Sequence, residues 1–256
     1  MRRTLLCTIF IAATNLVLAA TGRGAEPVDE LIRKGDVYYD KLQPADALKY
    51  YLPAEKLDPN NAHLLVRIAR QYRHLMSDAF GKEQKLHLGN TAVEYADRAV
   101  SLLPNDPETQ LAVAISYGKL LPLVGTQEQI TDSRIIKTAV EKVLEVDTNN
   151  DLAWQVLGRW YLGFAEVSPL KRAMAQMVYG KLPPANFEDA VRCFEKAIAL
   201  NPNRLMHYIE LGHTYADMGR PADARKFISK GLGMPNTEKD DAEFKEKGRE
   251  LLASLR

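Results

Sequence analysis

What most constrains this chain is a set of residues that returns five times in one register. The clearest copy opens at Asp151 with Trp154, Leu157, Gly158 and Tyr161, and closes with Ala190, Phe194, Ala197 and Pro202. The spacing W-x2-L-G-x2-Y puts large side chains on one face of a first helix. A glycine stands where a second helix must come close. Ala190 is the small residue of that second helix, and Pro202 ends it because proline cannot continue the hydrogen-bond ladder. The first copy carries Leu31, Gly35, Tyr38, Ala47, Tyr51, Ala54 and Pro59. The second carries Leu65, Ile68, Ala69, Tyr72, Ala92, Ala96, Ala99 and Pro104. The third is looser, with Val113, Ala114, Tyr117, Ile136, Val140 and Val143, and Thr148 where proline is expected. The fifth has Tyr208, Leu211, Gly212, Tyr215, Ala224 and Ile228, with Pro235 one residue early.

This is the pattern of the tetratricopeptide repeat. One such unit cannot bury its apolar face alone, so neighbours must stack. The expected fold is all-α: a single tetratricopeptide-repeat (TPR) solenoid over residues 26–256, of about five helix pairs. The repeats fall at 28–61, 62–106, 107–150, 151–204 and 205–237. Residues 238–255 read as a capping helix. Its acids come early (Glu238, Asp240, Asp241, Glu243) and suit a helix N-terminus. Phe244, Leu251, Leu252 and Leu255 form its apolar stripe. Within repeat four, Trp154, Leu157, Tyr161, Ala190 and Phe194 are expected to be largely buried.

The first residues follow a different logic. Arg2 and Arg3 precede an apolar run, which ends in the small residues Ala19, Ala20, Gly22, Gly24 and Ala25. That order is a secretory signal peptide over residues 1–25, with a retained membrane anchor as the alternative. Cleavage removes three of 34 basic residues and none of 33 acidic ones, so the mature charge is about −2. A near-neutral chain is not a general nucleic-acid binder. Cleavage also removes Cys7 and leaves Cys193, which has no disulfide partner and reads as a small filler beside Phe194. No later stretch is long and apolar enough to span a membrane. The expected location is the periplasm or outside the cell.

Repeats two to four carry insertions between their helices: Ser77 to Asn90, Lys119 to Ser133 and Phe164 to Asn186. Leu120-Leu121-Pro122-Leu123-Val124-Gly125 is too apolar for a solvated loop and is expected to tuck against a neighbouring repeat. In the fourth insert Ser168-Pro169 marks a helix start and Pro183-Pro184 its stop. Between them Leu170, Ala173, Met174, Met177 and Val178 form an apolar stripe, with Lys171 and Arg172 nearby. The stripe either packs on the array as extra core or offers an adaptable apolar contact to lipid or peptide.

First helices line the concave face of such arrays. The inward positions are Ile32, Asp36, Tyr39 and Asp40, then Val66, Arg70, Arg73 and His74, then Leu111, Ile115 and Lys119. Repeat four adds Gln155, Arg159 and Leu162, and repeat five Met206, Ile209, His213 and Asp217. The candidate groove is therefore Arg70, Arg73, His74, Lys119 and Arg159, joined by Leu170, Met174 and Met177 of the insert. Arginine's planar fork suits carboxylate or phosphate. The alternative is that these arginines pair with Asp36, Glu108 or insert acids and bind nothing. Chaperone-tail clamps place lysine and asparagine where this chain has Ile32, Val66 and Asp36, which argues against that partner. No nucleotide, zinc-protease or hydrolase motif occurs, and no two histidines stand i, i+4. No cofactor, metal or catalytic residue is expected.

Ala114-Ile115-Ser116-Tyr117-Gly118-Lys119 followed by Gly125-Thr126-Gln127-Glu128-Gln129-Ile130 resembles the regulator of microtubule dynamics proteins. So do Leu157-Gly158-Arg159-Trp160-Tyr161, Phe187-Glu188-Asp189-Ala190 and Arg67-Ile68-Ala69-Arg70. The likeness covers roughly residues 60–250 and includes insertions. It implies a partner-binding helical repeat domain, association with microtubules and, for one mitochondrial member, membrane tethering and phospholipid binding. The long N-terminal region that holds that member's anchor is not expected in this chain, whose first residues read as a signal peptide instead. The reading adopted is a non-catalytic scaffold that binds a protein or peptide in the cell envelope, with a phospholipid- or anion-binding module as the alternative.

Overall fold

The computed structural model describes residues 27–181 and 184–255, so the expected signal segment and Pro183 lie outside the described residues. Within them there is no strand. Five helix pairs follow the repeat frame. They are α1 (Val28–Asp40) with α2 (Pro44–Leu57), α3 (Ala62–Asp78) with α4 (Lys82–Leu102), and α5 (Pro107–Leu120) with α6 (Thr126–Val146). Then come α7 (Asp151–Ala165) with α9 (Phe187–Leu200), and α10 (Leu205–Asp217) with α11 (Pro221–Leu232). The helix α8 (Pro169–Tyr179) is the fourth insert, and α12 (Asp241–Ser254) packs on α10 and α11 at the end. Each pair packs internally, each second helix packs on the next pair, and α3, α5, α7 and α10 touch in succession along the inner face.

Local chemistry sets these boundaries. Asn61, Asn150 and Asn186 cap α3, α7 and α9 by accepting a backbone N–H, and Asp106 does so for α5. The turn after α6 lacks its proline. Asp147 replaces it, accepting the Asn149 N–H at 3.0 Å, while the Thr148 carbonyl takes the Trp154 indole N–H at 2.9 Å. The short α1–α2 and α10–α11 turns both need a left-handed residue. Gly219 (φ 71°) supplies it at no cost in one, whereas Leu42 (φ 57°) carries it in the other.

Glycine and aromatic meet as the pattern requires. A Cβ on Gly35 would sit 2.2 Å from Tyr51, on Gly158 2.7 Å from Phe194, and on Gly212 2.5 Å from Ile228. The core follows in three linked clusters. One lies around Leu64, Ile68 and Tyr51, one around Val140, Leu157 and Trp160, and one around Phe194, Leu211 and Ile228. Cys193 lies in the middle cluster, and burial pushes its thiol up to about 12, as befits an inert filler.

Two expectations change. Trp154 and Tyr161 are only partly buried, whereas Leu157, Ala190 and Phe194 are buried as expected. The buried tryptophan is Trp160, whose indole N–H donates to the Ser133 carbonyl at 2.8 Å. Trp154 stands at the start of α7, where its indole reaches back to the turn instead of inward. Trp160→Ala is therefore expected to cost ~3–5 kcal/mol, and Trp154→Ala clearly less. Urea unfolding of both variants checks the order.

The inserts also behave differently from one another. Those of repeats two and three mainly lengthen α4 and α6, the third adding a short 3-10 turn over Leu121–Leu123, and Leu120 packs against Gly89 of the preceding repeat. Among the described residues only the fourth becomes a separate α-helix. Leu170, Met174 and Met177 are 72%, 60% and 88% exposed, and α8 has no extended packing against another helix. For these residues the extra-core reading fails. The side chains of Lys171 and Val178 lie outside the description.

Candidate functional site

Four of the five cationic inner positions, Arg70, Arg73, His74 and Lys119, converge along the C-terminal halves of α3 and α5. Arg70 donates from Nη1 to the Tyr39 hydroxyl at 3.2 Å, lies over that ring, and has Nη2 3.7 Å from Glu108. The imidazole of His74 stacks on the other side chain of this group, Tyr39, with ring centroids 6.4 Å apart. Arg73 is 5% exposed and donates to the Ser116 hydroxyl at 2.9 Å. It is therefore part of the wall and not a free anion receptor. Burial, with Arg70 close by, lowers it to about 9. Asp36, a potential partner for these arginines, is held instead by Tyr51 and Arg67.

Lys119 is already engaged. Its ammonium lies 2.8 Å from Oδ2 of Asp240 and also donates to Ser77, whose hydroxyl donates to Asp240 Oδ1 at 2.8 Å. Asp240 belongs to the segment before α12, which crosses from repeat five to the ends of α3 and α5. Beside it, Lys239 pairs with Asp78 at 2.8 Å and Glu238 with Arg204 at 3.0 Å. Asp241 turns back to accept the N–H groups of Thr237 and Glu238, each at 2.7 Å. Asp241 and Glu243 stand in the first turn of α12, as expected, and Glu238, Asp240 and Asp241 also hold a crossing strap together. Burial disfavours the Asp240 carboxylate, but the Lys119 ammonium, helped by the Ser77 hydroxyl, outweighs it and holds it below the usual range.

Arg159 stands apart, donating to Glu210 of α10 at 2.9 Å, with much of its side chain open to solvent. The eight candidate residues are therefore not one surface. Arg70, Arg73, His74 and Lys119 form one cluster, Arg159 faces repeat five, and Leu170, Met174 and Met177 line a separate helix.

His74 makes the cluster pH-sensitive. Burial pushes its imidazole down to about 3, against Asp240 and with help from Arg73, Lys119 and Arg70. At neutral pH it is uncharged. Below the ordinary histidine pKa of ~6.5, the unfolded chain binds a proton that the folded chain refuses, so stability must fall as pH drops from there toward 3. Asp240 adds a further loss only below the ordinary carboxylate range. His74→Gln is expected to flatten the fall between about pH 6.5 and 4, read as urea midpoint against pH. An unchanged slope contradicts it.

A second group was not legible in the sequence. Glu166 at the end of α7 meets His213 and Asp217 of α10, the imidazole Nε2 lying 3.5 Å from the Asp217 carboxylate. His213 also lines a cleft of about 400 Å³ between α10 and α12, with Ile209, Glu210, Phe244 and Lys247. The i, i+4 spacing of His213 and Asp217 was the available signal; Glu166, which comes from another repeat, had none.

A family model described as regulator of microtubule dynamics protein 1-3 matches residues 30–256. The mouse regulator of microtubule dynamics protein 1 is 25% identical over 239 residues, 93% of this chain and 78% of that protein. Mouse regulator of microtubule dynamics protein 2 is 24% identical over 231 residues, 90% of this chain but 56% of its own length. Among solved structures, a thermophilic TPR protein of Thermus thermophilus superposes with a TM-score of 0.65 at 17% identity, covering 88% of this chain and 99% of the other.

Proposed function

This chain belongs to the regulator of microtubule dynamics protein family, and from that premise we propose that it is a non-catalytic scaffold holding a protein or peptide partner on its concave face. One observation carries the reading. The face already accepts a carboxylate from the turn that leads into α12, Asp240 on Lys119 and Ser77. Arg70 beside it keeps a partly open guanidinium for a second acid. A partner of this chemistry is an acidic segment, oriented by charge and held by aliphatic neighbours such as Ile115. The relatives' names concern microtubule dynamics; the layout of residues 1–25 instead favours export to the periplasm or beyond, where no microtubule is met. No described helix is long and apolar enough to cross a membrane.

The exposed stripe of α8 favours a second reading, an anionic phospholipid with its headgroup on arginine and its chains against Leu170, Met174 and Met177. Calorimetry with acidic peptides and with anionic phospholipid vesicles separates the two. The scaffold reading expects peptide binding that weakens with salt. Arg70→Gln with Arg159→Gln should weaken it and flatten the salt dependence. Met174→Ser with Met177→Ser should leave it unchanged. A double-arginine variant that binds as well as wild type contradicts the reading.

A further inference from the structure

We propose that Glu166, His213 and Asp217 form a divalent transition-metal site, of the kind that takes zinc, joining repeats four and five. One ligand atom from each lies within 4.8 Å of the other two. His213 and Asp217 are one helical turn apart on α10, and their 3.5 Å separation matches the roughly 3.3–3.6 Å between donors that tetrahedral zinc imposes at ~2.0–2.2 Å per bond. Glu166 caps the end of α7 and is exposed, so its side chain has room to rotate toward the pair.

The donor set decides the class of ion. An imidazole with two carboxylates suits zinc and its neighbours, whereas calcium and magnesium prefer oxygen throughout. Three protein ligands leave a fourth position. Glu166 and Asp217 are exposed and His213 lines an open cleft, so solvent reaches the group.

The other histidine–carboxylate pairs lack this arrangement. His207 reaches Asp151 at 2.9 Å, but it is fully buried and Arg204 shares the carboxylate. Among the described residues His63 meets one carboxylate, Glu108. Glu210, the further acid that Glu166 feels, is matched by Arg159, so the negative charge a cation would meet here is that of Glu166 and Asp217. Glu166 stands three residues before Pro169, the first residue of α8. An ion here would therefore fix the root of the insert helix against α10.

The test uses the full chain, with zinc titrated by calorimetry and cobalt by its visible absorption. One saturable equivalent is expected, with a four-coordinate cobalt spectrum. Glu166→Gln and His213→Ala should each weaken binding by at least ~10-fold, the lower end of what even supporting residues around a metal cost. His63→Ala should bind as wild type. Circular dichroism of each variant establishes that it is folded. Absence of saturable binding overturns the site, as does binding that folded Glu166→Gln and His213→Ala both retain.

Discussion

Phe194→Ala is expected to lower stability by ~3–5 kcal/mol, among the largest effects of any single truncation in this chain. The ring is fully buried in α9 and rests on the face of α7 that Gly158 leaves bare. Its neighbours Leu162, Ala190 and Leu211 belong to different helices, so no single side chain can move in to fill the space. The cost is therefore transfer plus cavity. Because stacked repeats share their interfaces, repeats four and five should lose order before repeat one. A fall in the urea midpoint, with hydrogen exchange rising first in α7, α9 and α10, checks this. Uniform exchange through all helices contradicts it.

Gly212→Val should cost at or above the top of the ~1–3 kcal/mol typical of overpacking. A Cβ at Gly212 would meet Ile228 Cγ1 at 2.5 Å, the Ile228 nitrogen at 3.0 Å and the Ala224 carbonyl oxygen at 3.1 Å. A rotamer change relieves the first contact, but the other two are backbone, so α11 itself must move away from α10. Gly118 provides the opposite case. It stands in α5 with nothing within 4 Å of a Cβ. Gly118→Ala should stabilise by about 0.5–1 kcal/mol, because alanine loses less backbone freedom in a helix. Thermal melts of the two variants should move in opposite directions.

Those contrasts mark what the sequence could and could not say. Gly35, Gly158 and Gly212 stand at one repeat position, and each meets a residue of its own second helix, as the pattern demands. Such contacts span a few tens of residues and leave a periodic trace. The exposure of Leu170, Met174 and Met177 left none, since an apolar stripe looks the same whether it is covered or bare. Trp154 and Trp160 were likewise inverted: the motif names the first, while the buried wall belongs to the second. The groove was legible as a set of inward positions, but its chemistry was not. Ser77 and Asp240 are 163 residues apart, and only the curvature of the whole array brings them together. That closure turned Lys119 from a free cation into a paired one and left Arg70 as the open guanidinium of its cluster.

The central claim is that the concave face, with Arg70 and Lys119, receives a protein or peptide partner. A photoreactive phenylalanine analogue at Tyr39 or at Ile115 on that face, compared with one at exposed Val146 on α6, tests it in the source cell. The account predicts a discrete protein adduct from Tyr39 and Ile115 that is lost in Arg70→Gln, and none from Val146. Equal adducts from Val146, or adducts confined to lipid, would contradict it.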